Sequence, residues 1–176
     1  MASRPESISG GCVCGSIRYK IVFPEEASWP ANAATCQCST CRKWTGALIS
    51  HDLLIHPSQF VDDITKSPTY KEYKSSQEAT RSFCSQCGSG LTWRIDSVDD
   101  MLVIMTGTID EEFLIGKKVE GTEEETDLGI KFERHGGLAK DLCTPHMGNL
   151  FWNNVIPGIT DHDVGGTKFP QSFPQE

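Results

Sequence analysis

The sequence has no apolar run approaching the roughly 20 residues needed to cross a bilayer as a helix, and only 38% of its 176 residues are hydrophobic. A helical membrane span is therefore not expected, nor a membrane partner. An excess of positive charge is also missing. The chain has 16 Lys and Arg against 24 Asp and Glu, a formal net charge of -8. Nucleic acid is not an expected partner, because phosphate binding needs clustered cations to displace counterions. The opening stretch, MASRPESISGG, lacks the apolar segment of a secretory signal, so the expected location is cytoplasmic.

What the chain does have is cysteine. Seven of its eight cysteines fall in three short clusters: Cys12-Val13-Cys14, Cys36-Gln37-Cys38-Ser39-Thr40-Cys41 and Cys84-Ser85-Gln86-Cys87. In a reducing compartment such spacing points to metal or redox chemistry rather than to disulfides. A disulfide framework and a thioredoxin-like Cys-x-x-Cys are the alternatives. The latter needs a strand–helix setting that neither Cys38–Cys41 nor Cys84–Cys87 has.

The pattern along the chain predicts a mainly β domain of short antiparallel strands with few short helices. Residues 1–9 read as a disordered lead-in, 10–160 as one domain and 161–176 as a flexible tail rich in Gly and Pro. Alternation of Ile17, Tyr19, Ile21 and Phe23 with polar residues predicts a half-buried strand. Residues 24–34 read as a loop, and Arg42 to Gly46 as a short helical turn. Further strands are expected at 47–55, 70–74, 79–83 and 90–95. The third cysteine cluster then lies at the tip of a hairpin. Met101 to Thr106 is continuously apolar, as in a central strand buried on both faces. A short helix is expected over 110–115 and an extended acidic insertion over about 116–137.

Four thiolates close a tetrahedral zinc site, whereas three leave one position open. The two separated pairs, Cys12/Cys14 and Cys84/Cys87, suit a closed structural zinc that ties the first strand to the central hairpin. Cys36, Cys38 and Cys41 form a compact triplet suited to a second, open zinc, giving two Zn2+ per chain. Three thiolates on zinc carry a net charge of -1. The adjacent Arg42 and Lys43 are candidates for lowering the thiol pKa values, offsetting that charge and holding a substrate carboxylate. The plain alternative for both is surface solvation. The alternative for the triplet is a second closed site, with Cys143, His146 or His51 as fourth ligand.

The residues Gly10–Gly15, Cys36–Ala47 and Phe83–Gly88 together resemble the motifs of the glutathione-dependent formaldehyde-activating enzyme family, whose domain is similar to that of centromere protein V. The resemblance covers roughly residues 8–110. It implies a β-tent of antiparallel sheets built around zinc, with Cys12, Cys14, Cys84 and Cys87 on the structural ion and Cys36, Cys38 and Cys41 on a catalytic one. It also implies a carbon–sulfur lyase joining glutathione, or another small thiol, to formaldehyde or a related carbonyl. Gln37 stands where many members have His. The competing expectation is a non-catalytic zinc module that binds a thiol metabolite or a protein partner.

Overall fold

The computed structural model describes residues 2–162 and 165–174. Strand β1 (Ser7–Gly11) pairs antiparallel with β2 (Arg18–Val22) in a separate ribbon. β3 (Ala33–Cys36) leads into helix α1 (Ser39–Thr45). There follow β4 (Ser50–Ile55), β5 (Tyr70–Lys74), β6 (Ala79–Cys84), β7 (Gly90–Ile95) and β8 (Leu102–Met105). Helix α2 (Glu111–Leu114) precedes four short strands, β9 (Lys117–Lys118), β10 (Glu124–Thr126), β11 (Gly129–Lys131) and β12 (Arg134–His135). Helix α3 (Ala139–Cys143) and β13 (Gly148–Leu150) complete the set.

The main sheet has seven strands in the order β13-β3-β4-β8-β7-β6-β5, antiparallel except for the edge pair β13–β3. The fold is thus mainly β, as the sequence pattern implies. Strand β8 lies at the centre, and its neighbouring residues Val103 and Ile104, which point to opposite faces, are both 0% exposed. On one face, Leu53, Ile55 and Ile104 join Ile8, Ile17, Tyr19, Ile21 and Phe23 of the ribbon region in the main core. Tyr19 lies flush on Gly10, where an added Cβ would fall 2.4 Å from the ring carbon Cζ. Any larger residue at Gly10 would push the ribbon apart.

The other face has a different character. Directly paired residues share a face of the sheet. The pairings Cys36↔Ser50, Ala34↔Asp52, Asp52↔Met105, Trp93↔Val103 and Arg81↔Trp93 therefore align cysteine, carboxylate, indole and guanidinium across five strands. Ser50, Asp52 and Arg81 on this face are all buried. A buried polar row of this kind needs a covering element and internal partners, and α1 supplies the cover through Cys41 and Trp44.

Three sequence expectations are corrected. The lead-in over 1–9 is not disordered throughout: β1 starts at Ser7, and the Phe23 amide donates to the Glu6 carbonyl. A single apolar residue, Ile8, anchors that strand, too weak a pattern to read. The loop over 24–34 ends early, because Ala33 and Ala34 already pair with β4 as small buried residues. The tail over 161–176 is not a free end. Thr167 and Gln171 accept from the Asn149 and Phe151 amides, Phe169 donates to the Asn149 carbonyl, and Phe169 stacks edge-on with Phe173. Residues 163, 164, 175 and 176 of that expectation lie outside the described residues. The acidic insertion carries two exposed ribbons, β9–β12 and β10–β11.

Candidate metal centres

The turn between β1 and β2 brings Cys12 and Cys14 against Cys84 and Cys87 at the β6–β7 hairpin, with all four sulfurs within 4.8 Å of one another. Cys12 and Cys14 Sγ are 3.5 Å apart, and Cys14 and Cys84 Sγ 3.8 Å. Sulfurs at about 2.3 Å from a tetrahedral zinc stand roughly 3.8 Å apart, so the donor set fits the ion. The Ser16 hydroxyl lies 3.1 Å from Cys14 Sγ and 3.4 Å from Cys84 Sγ, and the Ile17 amide donates to Cys12 Sγ at 3.3 Å. Burial pushes the Cys84 thiol up, but hydrogen bonds from Ser16, the Cys87 amide and Thr69 outweigh it and bring its pKa to about 5. The Ser89 hydroxyl and amide lower Cys87 to about 7. Both values favour the thiolates that metal binding requires.

The second cluster sits where β3 runs into α1. Cys36, Cys38 and Cys41 lie within 4.8 Å of one another, with Cys36 and Cys41 buried and Cys38 half-buried. Cys38 caps α1, its sulfur accepting from the Cys41 amide at 3.3 Å. Gly46, in the left-handed region at φ 69°, ends the helix by donating to the Arg42 carbonyl at 2.9 Å. Hydrogen bonds from the thiols of Cys36 and Cys41 hold Cys38 far below the ordinary thiol range, while the contacts of Cys36 with Cys38 and Cys41, together with burial, hold Cys36 up. Among the described residues no fourth Cys, His, Asp or Glu joins the triplet. His51 and Cys143 instead line a neighbouring cavity of about 470 Å³, whose wall also includes Trp44, Ser50, Ser89 and Met105. All eight cysteines are free, and burial raises the Cys143 thiol.

The two cations next to the triplet point elsewhere. Arg42 Nε donates to the Leu48 carbonyl at 2.8 Å, and its Nη2 to Gln37 Oε1 at 2.9 Å and the Asn154 carbonyl at 2.7 Å. Gln37, 1% exposed, also accepts from Thr160 Oγ1 at 2.7 Å, and its backbone N–H donates to the Leu150 carbonyl. Arg42 is thus a brace between the triplet loop and residues 154–160. Lys43 is exposed on the last turn of α1.

The cation that reaches a thiol sulfur is one the sequence reading passed over. Arg81 Nη2 donates to Cys41 Sγ at 3.4 Å. Its guanidinium carbon lies 5.0 Å from the Trp44 ring centre and 5.4 Å from that of Trp93. The available signal was an arginine at an inward position of a strand, three residues before Cys84 and opposite a tryptophan. Leu150, Phe151, Phe169 and Phe173 pack against the triplet.

The family model described as glutathione-dependent formaldehyde-activating enzyme matches residues 7–124, and the chain belongs to that family. A protein of Schizosaccharomyces pombe (strain 972 / ATCC 24843), named "Uncharacterized lyase C29B12.13", is 29% identical over 83 residues, which cover 47% of this chain and 53% of that one. The chain therefore matches about half the length of that relative. A crystal structure of a Rhodobacter sphaeroides protein shows 19% identity and a TM-score of 0.47, covering 58% of this chain and 88% of the other. No described helix is long and apolar enough to cross a membrane.

Proposed function

We propose that this protein is a zinc-dependent carbon–sulfur lyase that joins glutathione, or another small thiol, to formaldehyde or a related carbonyl in the cytoplasm. The observation that carries this reading is the contrast between the clusters: four sulfurs gathered in one, and three in the other with no fourth Cys, His, Asp or Glu beside them among the described residues. Family membership and the lyase name of the fission-yeast relative support the reaction class.

In this reading Cys12, Cys14, Cys84 and Cys87 hold a structural zinc, and Cys36, Cys38 and Cys41 hold a second. Bound to the triplet, zinc would supply Lewis-acid chemistry to a thiol substrate. In the overall addition a C–S bond forms, the carbonyl π bond breaks and the thiol proton ends on the new hydroxyl. Cys38 is fixed by the first turn of α1 and Arg81 lies against Cys41. Arg42 shapes the loop over the triplet through Gln37, and Lys43 is the exposed cation that can meet a substrate carboxylate. The adjoining cavity, with Trp44 and Ser50 in its wall, has room for a small substrate.

Formaldehyde and glutathione consumption by the zinc-loaded protein, compared with Cys38→Ser, tests the reading. Acceleration that Cys38→Ser abolishes supports it. Equal rates in both proteins, no faster than the uncatalysed addition, contradict it. The aromatic packing of Phe151, Phe169 and Phe173 on the triplet favours a second reading, a non-catalytic module. That protein would bind glutathione stoichiometrically and accelerate nothing.

A further inference from the structure

A buried charge without an opposite charge is among the costliest things a fold can hold. Arg81 is 4% exposed, and among the described residues it makes no ion pair. Its Nη1 donates to the Ser75 hydroxyl, its Nε is buried with no hydrogen-bond partner among the described residues, and its Nη2 donates to Cys41 Sγ. Asp52, buried on the same face of the sheet, attracts the guanidinium but stands beyond ion-pair distance of it. The group within hydrogen-bond reach that can become an anion is therefore the Cys41 sulfur. Trp44 and Trp93 flank the guanidinium, which stacks on aromatic faces without giving up its in-plane donors.

The two clusters differ in this respect. Around Cys12, Cys14, Cys84 and Cys87 the side chains bonded to sulfur are the hydroxyls of Ser16, Thr69 and Ser89, with no Lys or Arg among the described residues. Four thiolates around a dication leave a net charge of -2. Three thiolates leave -1, and one guanidinium cancels it.

We infer that Arg81 is the positioning residue of the three-cysteine centre: it orients Cys41 and neutralises the charge of three thiolates around a divalent metal. This rests on the reading that the triplet holds a metal. It assigns to a residue on β6 the charge compensation that the sequence places on Arg42 and Lys43. The trio Arg81, Trp44 and Trp93 joins the sheet to α1, so the same contact couples the centre to the cavity wall through Trp44.

The full-length protein loaded with cobalt(II), as wild type, Arg81→Met and Arg81→Lys, tests the inference. Chelator competition reads the affinity of each site, and the sulfur-to-cobalt charge-transfer band reads the electron density on sulfur. Removing an outer-shell partner costs about 10–100-fold in metal affinity. Arg81→Met should lose that much at the triplet, with the charge-transfer band moving to lower energy as the sulfur loses its donor. The four-cysteine site, unchanged, reports that the variant is folded. Arg81→Lys keeps the cation and should lose less; should Arg81→Met not fold, Arg81→Lys alone is compared with wild type for a weaker triplet site and a shifted band. Wild-type affinity and spectrum in Arg81→Met overturn the inference, as do equal losses at both sites or equal losses in the two variants. A wild type that binds one metal, at the four-cysteine cluster alone, removes the metal reading of the triplet and the inference with it. Two metals in wild type with an unaffected Arg81→Met removes the inference only.

Discussion

Cys14 and Cys84 are 70 residues apart in the chain and 3.8 Å apart at their sulfurs. That contact joins the β1–β2 ribbon to the β6–β7 hairpin, two elements also held together by the apolar core and by the Val13 amide donating to the Ser89 hydroxyl. Cys84→Ser should therefore destabilise the fold by about 3–5 kcal/mol, a fraction of the ~10–16 kcal/mol that structural zinc contributes in small domains. Chelator-dependent thermal unfolding measures it: wild type should lose stability on zinc removal, and Cys84→Ser should be insensitive. A wild type indifferent to strong chelators would separate this cluster from folding.

Arg42 and Lys43 are neighbours with opposite expected phenotypes. Arg42→Ala removes donors from Gln37 Oε1 and the Leu48 and Asn154 carbonyls. Leaving such partners unpaired costs about 1–3 kcal/mol, visible in denaturant unfolding. Lys43→Ala should leave stability within ~0.5 kcal/mol of wild type while raising KM for glutathione. A stable Arg42→Ala with a raised KM would instead make Arg42 the group that meets substrate.

The C-terminal strap has a consequence for access. Phe169 packs with Phe173 against the triplet and hydrogen-bonds along β13. Phe169→Ala should cost about 1–2 kcal/mol, as expected for a half-buried aromatic, and should speed metal loss from the triplet to a chelator. Loss from the four-cysteine cluster should be unchanged. Equal acceleration at both clusters would mean a general loosening of the fold.

Asp52 makes a pH-dependent contribution. Burial raises its carboxyl to about 6, against the opposing effects of the Ser50 hydroxyl bond and Arg81. The folded protein thus holds this proton more tightly than the unfolded chain, so stability falls as pH rises from about 4 to about 6 and is then level. The penalty above pH 6 is on the order of 1–3 kcal/mol. Asp52→Asn should remove that slope and stabilise the protein at neutral pH, measured by unfolding across pH 4–8. An unchanged slope would place the effect on another group.

The cysteine clusters were legible because chelate spacing is local chemistry, and strands β5 and β7 were legible from composition and alternation. Arg81 was not, because its role depends on register: only the pairing Arg81↔Trp93 and the packing of α1 bring it to Cys41. Strand β13 and the strap were hidden for a related reason. A three-residue edge strand pairing parallel with β3 has no periodicity to detect, and a segment rich in Gly and Pro reads as loose until its partner is known. Arg42 and Lys43 show the converse: nearness to Cys41 in sequence does not direct the Arg42 donors to sulfur, and Lys43 stands exposed.

If the two clusters hold one metal ion each, zinc per chain in freshly purified protein shows it. Wild type should carry two zinc ions and Cys38→Ser one, and glutathione should exchange the triplet's ion selectively. One zinc in both proteins, or two in wild type that resist the thiol alike, would contradict that reading.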